Sequence, residues 1–295
     1  MWRRQLYDRS CVTAVLDLAV PVITVLALLA VGFDLTQADF TKVRQHPGIV
    51  AAGLFSPLFM LPPLAAGLIV LFDPSPAIRG GLLLIAACPI GGISNTYSYL
   101  AGASVALSVT LTAISSLLAA ATIPLLDRGM GLLLGTQFGL TAPIALILGQ
   151  LLVMLALPVS VGMWIRAKRP AFAKRAQPVF RLVAFMALGA LMTLVIGRDL
   201  SGFLGGLRET LPLAVGFIVG SFAIGWGVAR VIGATRPDRF TLATEFATRN
   251  VAVATTIAVT LLHRVEFALF ATAYLLIEIP LMLAAIGIYR HNSRA

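Results

Sequence analysis

Residues 81–102 read GLLLIAACPIGGISNTYSYLAG, and the interruption in the middle of this apolar run decides the fold. The stretch is long enough for a helix crossing a hydrocarbon core, which takes roughly 20 apolar residues. Pro89 removes a backbone donor and Gly91 and Gly92 weaken the helix around it, while Ser94 and Asn95 follow immediately. An interrupted helix leaves free carbonyls before the break and free amides after it. Lipid offers partners to neither, so such a break belongs where it is buried in protein or lines a cavity.

The rest of the chain has the composition that surrounds such a segment. Its 295 residues are 59% hydrophobic and 12% charged, with a mean hydropathy of +0.96. That leaves too little polar surface to cover a water-soluble globule. Nine apolar segments, at about 11–33, 49–72, 80–101, 104–126, 142–165, 179–197, 211–234, 240–262 and 266–289, are candidate spans. They are too long and too uniformly apolar for barrel strands, which predicts an all-α polytopic membrane protein.

The net charge of +10 arises largely from Lys and Arg in short runs between spans. It speaks for a lipid bilayer as partner and against nucleic acid. The densest run, RAKRPAFAKR at 166–175, places the C-terminus on the cytoplasmic side of an inner membrane and the N-terminus outside. Arg3, Arg4 and Arg9 argue the other way. The apolar run after them continues to about Phe33 without a cleavage pattern and reads as a retained first span. Cys11 and Cys88 form no metal-binding or disulfide motif, and His46, His263 and His291 lie near loop ends. No nucleophile and base are spaced for catalysis, so an enzyme is not expected.

A second span departs from plain aliphatic sequence. Residues 240–262 read FTLATEFATRNVAVATTIAVTLL, with Glu245, Arg249 and Asn250 in the middle. Each charge at that depth costs at least about 2.5 kcal/mol, so the pair needs a compensating environment. Glu245 and Arg249 are four apart, and a structural pair on one helix face is one way to supply it. The polar breaks fall in the third and eighth spans, as expected of inverted repeats whose discontinuous helices meet at the midplane. The repeats are residues 1–130, about four helices with the break near 89–95, and residues 131–295, about five helices with the break near 245–250.

Ser108 and Thr112 in the fourth span share a helix face. With Ser94, Asn95 and Glu245 they make a set of hard oxygen donors carrying one negative charge, which suits a monovalent cation. Glu278, in YLLIEIPLML at 274–283, has three open roles: lining the same cavity, taking a proton, or pairing with Arg249.

CPIGGISNTYSYLAGASVALSVT at 88–110 and GFDLTQADFTKVRQHP at 32–47 resemble the bile acid:sodium symporter family. The resemblance implies a core domain with two crossed broken helices that moves against a panel domain, here in a nine-helix variant. It implies a first sodium site at Ser94, Asn95, Ser108, Thr112 and Glu245, and a second at Pro57, Phe246, Thr248 and Arg249. In the second set, Pro57 and Arg249 stand where the family has glutamines, and a fixed guanidinium should repel a cation. Substrates would approach Gly92, Ile93, Asn250 and Val251, where helix amides favour anions. Arg249 has three open roles there: a tethered charge in the second cation's place, neutralising Glu245, or binding a substrate carboxylate.

The expectation is therefore sodium-coupled uptake of a small organic anion, monocarboxylate-like, by alternating access. A proton-coupled or sodium-independent carrier or exporter is the alternative, since YLLIEIPLM also resembles the last helix of arsenite permeases and Glu278 would carry the proton. A membrane receptor that does not transport is a further one.

Overall fold

The computed structural model describes residues 19, 21–34, 47–134, 149, 151–198 and 200–292. Arg3, Arg4, Arg9, Cys11, His46 and most of the 32–47 connection lie outside these residues. The described residues are helical throughout, apart from turns and one isolated antiparallel bridge, and the chain is an all-α polytopic membrane protein.

The helices run in the order α1 (Pro21–Asp34), α2 (Pro47–Phe72), α3 (Pro76–Ala87), α4 (Ser94–Ala101), α5 (Val105–Leu134), α6 (Leu157–Lys168), α7 (Pro170–Arg198), α8 (Leu200–Val231), α9 (Arg236–Ala247), α10 (Val251–Thr256) and α11 (Val265–His291). A turn of π-helix precedes α6 at Leu152–Ala156 and another extends α10 through Ile257–Leu261. Among the described residues, four stretches are long and apolar enough to cross a bilayer: Pro47–Phe72, Val105–Leu132, Phe203–Val231 and Val265–His291. Only helices let such segments satisfy their own backbone groups in lipid.

The third and eighth expected spans are each two helices in tandem. Pro89 explains the first division, because the residue before a proline is pushed out of the helical region. Cys88 accordingly is extended, with ψ 153°. α4 then stops at Gly102, whose φ of +70° a side chain would resist. The second division has no proline: Thr248 (φ −99°, ψ 107°) and Asn250 (φ −79°, ψ 91°) are extended by tertiary contacts described below. By contrast Pro280 lies within α11 without ending it.

Most of the large buried apolar side chains form one cluster that runs through α3, α8, α9 and α11, with Leu82, Phe217, Phe240, Phe246, Phe270 and Tyr274 at its centre. α1 is set against α6 by two facing glycines. A Cβ on Gly32 would stand 2.4 Å from the Val159 carbonyl oxygen, and one on Gly162 2.7 Å from that of Leu29. The same end of α1 is held on α7 by Phe33, edge-on to Phe172 and Phe180.

Candidate functional site

The two breaks meet. Gly91 N–H donates to the Thr248 carbonyl at 3.1 Å and Asn250 N–H to the Pro89 carbonyl at 2.9 Å, with Ile90 and Arg249 bridged antiparallel. Each interruption thus satisfies main-chain groups that the other has freed, which matters where water is absent. The helix ends at the crossing are also met. Arg249 Nη2 donates to the Cys88 carbonyl beyond α3, and Tyr274 Oη donates to the Ala247 carbonyl that ends α9. Asn250 Oδ1 accepts from Val253 N–H at 3.1 Å and caps α10. The approach is so close that a Cβ on Gly91 would lie 2.7 Å from the Arg249 carbonyl oxygen.

Beside the crossing, five oxygen-bearing side chains converge. Ser108 Oγ donates to Asn95 Oδ1 at 2.8 Å and also reaches Glu245 Oε1. Thr112 Oγ1 lies 3.2 Å from Glu245 Oε2, 3.4 Å from Asn95 Oδ1 and 3.2 Å from Ser94 Oγ. All five residues are buried. The second half-helix of the first pair (α4), the first half-helix of the second pair (α9) and the continuous α5 each supply part of the set. Among the described residues the ion pairs are Asp73–Arg79, Asp34–Arg181 and Glu266–Arg264. Glu245 belongs to none of them, so the helical pairing with Arg249 that their spacing allows is not made. Thr248 is extended and carries Arg249 off the helix axis.

Gly92, Ile93, Arg249, Asn250 and Val251 line a cleft faced by Ala27 and Val31 of α1 and by Arg181 and Phe185 of α7. Pro57 and Arg249 line a separate, smaller cleft with Cys88 and Ser115. Pro57 has no side-chain oxygen, Phe246 is packed in the apolar core, and the Thr248 carbonyl already accepts from Gly91. Glu278 is fully buried on α11. Its polar neighbours are the hydroxyls of Tyr97 and Thr248 and the main chain of Arg249, but neither carboxyl oxygen closes a hydrogen bond.

Two contacts were not visible in the sequence. Thr24 Oγ1 donates to the Ala252 carbonyl at 3.2 Å and is also bonded to Thr256, tying α1 to α10. Arg181 faces the larger cleft, although its place in a strongly basic stretch makes it read as a charge at the membrane surface. Its residue type offered no signal; only the helix phase shared with Ala184 and Phe185 places it there.

The family model described as the Sodium Bile acid symporter family matches residues 21–203. The chain is 27% identical over 225 residues to the probable sodium/metabolite cotransporter BASS1, chloroplastic, of Arabidopsis thaliana, covering 76% of this chain and 55% of that one. It is 30% identical over 209 residues to the P3 protein of Bos taurus, covering 70% and 43%. With the uncharacterized sodium-dependent transporter YocS of Bacillus subtilis it shares 26% over 235 residues, covering 76% and 68%. The chain spans about half the length of the plant and bovine relatives.

Proposed function

Because the chain belongs to the sodium bile acid symporter family, whose members are transporters and not enzymes, we propose that it couples sodium entry to uptake of a small organic anion by alternating access. The observation that carries this reading is the buried carboxylate of Glu245, held by the hydroxyls of Ser108 and Thr112 and by no cationic side chain among the described residues. A buried carboxylate that closes no ion pair costs several kcal/mol. A sodium ion among the oxygens of Ser94, Asn95, Ser108, Thr112 and Glu245 would balance that charge while these oxygens replace the ion's hydration shell.

In this reading residues 1–130 and 131–295 are inverted repeats. α1, α6 and α7 form the panel against which the remaining helices move, and the cleft between them takes the anion, in the simplest case a monocarboxylate, at Gly92, Ile93, Asn250 and Val251. The amide end of α4 and the guanidinium of Arg249 favour negative charge there. The membrane is the cytoplasmic one, with the C-terminus inside, on the strength of the basic run at Arg166–Arg175.

The test is uptake of labelled short carboxylates into proteoliposomes with and without an inward sodium gradient. Uptake should follow sodium with a Hill coefficient of about one, the value for a single coupled ion, since Pro57 and Arg249 leave the second set without a cage. Uptake indifferent to sodium refutes the coupling. A proton-coupled carrier is the second reading, favoured by the unbonded carboxyl of Glu278. It requires uptake driven by a proton gradient that Glu278→Gln removes.

A further inference from the structure

Of the fifteen residues lining the larger cleft, three have polar side chains: Arg249 and Asn250 at the break, and Arg181 on α7. Arg181 is thus a cation on a wall that is otherwise apolar at that level, formed by Ile23, Ala27, Ala184 and Phe185. It is also held in place. Its Nη2 pairs with Asp34 Oδ2 at the end of α1, and Gln177 Nε2 donates to the same oxygen at 3.2 Å. The packing of Phe33 on Phe180, with ring centroids 5.3 Å apart, fixes that end of α1 on α7. The Arg181 side chain keeps 30% of its surface exposed. A guanidinium has five N–H donors in a rigid fork, and one carboxylate oxygen leaves others for a second acceptor.

A positive group already oriented, facing a cleft whose opposite wall also carries positive charge, selects a ligand with an acceptor at each end. We propose that Arg181 binds a second anionic group of the cargo, so that this chain prefers short dianions, with a carboxylate at each end, over monoanions of the same length. This rests on reading the cleft as the cargo site, and it adds a selectivity which that reading does not require. The aliphatic middle of the ligand would lie against Ala27, Val31 and Ala184, where burial of methylenes adds affinity without further polar contacts.

The experiment compares sodium-driven uptake of succinate and butyrate by the full chain in proteoliposomes. The wild-type chain should take succinate in preference. Arg181→Gln should raise the succinate KM by about ten- to a hundredfold, the range for losing a charge-assisted bond, and leave butyrate uptake within about twofold. Asp34→Asn removes the carboxylate that competes for the guanidinium, so it should lower the succinate KM. Were Arg181 only a strut between α1 and α7, Asp34→Asn would impair transport as Arg181→Gln does and both substrates would suffer equally; that result overturns the proposal, as does equal uptake of succinate and butyrate by the wild-type chain. If neither anion is transported with sodium, the symport reading fails separately, and binding decides this one. Succinate should then raise the melting temperature of the detergent-solubilised wild-type chain but not of Arg181→Gln, and no rise in the wild-type chain overturns it.

Discussion

Glu245→Gln lowers sodium-driven uptake at least about a hundredfold, as expected when a group that acts only through its charge is neutralised in a site of low dielectric. The substitution keeps the size of the side chain and an oxygen for Ser108 or Thr112 to meet, so folding should be preserved. The direct readout is thermal. An ion that binds only the folded chain stabilises it by about 2.7 kcal/mol at a hundredfold excess over its Kd. Addition of sodium in place of potassium should therefore raise the melting temperature of the wild-type chain and leave that of Glu245→Gln unchanged. A variant that still responds to sodium places the ion elsewhere and removes the basis of the coupling. Ser108→Ala and Thr112→Val should weaken the same response in part, because each removes one ligand while leaving the charge.

Gly91→Ala is expected to be nearly as damaging, although it adds one methyl group and touches no charge. The new Cβ would lie 2.7 Å from the Arg249 carbonyl oxygen and 3.0 Å from its carbonyl carbon. Both atoms are main chain, so no side-chain rotation relieves the contact. The crossing must open, which strains or breaks the bonds from Gly91 to Thr248 and from Asn250 to Pro89. Overpacking of this kind costs about 1–3 kcal/mol, and an opened crossing also leaves backbone groups without partners where water is scarce. Uptake should fall more than about tenfold, with a lower melting temperature. Gly92→Ala is the control: the nearest atom to its Cβ is a Val31 methyl at 3.4 Å, an ordinary contact, and the chain should stay folded. Wild-type stability in Gly91→Ala would show that the crossing opens without cost and overturn this account.

The sequence announces the first break through Pro89, since the loss of an N–H and the restriction on Cys88 are local effects. The spacing of Ser108 and Thr112 likewise puts both hydroxyls on one face of α5 without reference to anything distant. The second break is less legible. Glu245 and Arg249 mark it as unusual, but the helix carries Glu245 and ends two residues later at Ala247. What extends Thr248 and Asn250 is the opposing strand of main chain at Pro89–Gly91 and the hydroxyl of Tyr274, partners more than twenty residues away in sequence. Pro280 stands inside the expected span 266–289 and does not end it, because packed membrane helices tolerate a proline that would end an isolated one. Arg181 shows the limit of reading charge along a chain. In a stretch rich in Lys and Arg, topology rules account for every one of them, and only the fold distinguishes the one that turns toward a cleft.

The paired interruptions also limit how this protein moves. Since Gly91 and Asn250 each borrow a carbonyl from the other's segment, neither helix pair is able to slide by a residue without stranding amides and carbonyls in a dry setting. Under the proposed transport cycle the stitched unit would travel as one rigid body, and an ion loaded at Glu245 would be felt at the far half-helix without any relay of side chains. In that cycle the give would come at the seam with α1, where the Thr24 hydroxyl shares its bonds with Ala252 and Thr256, a fastening light enough to be exchanged.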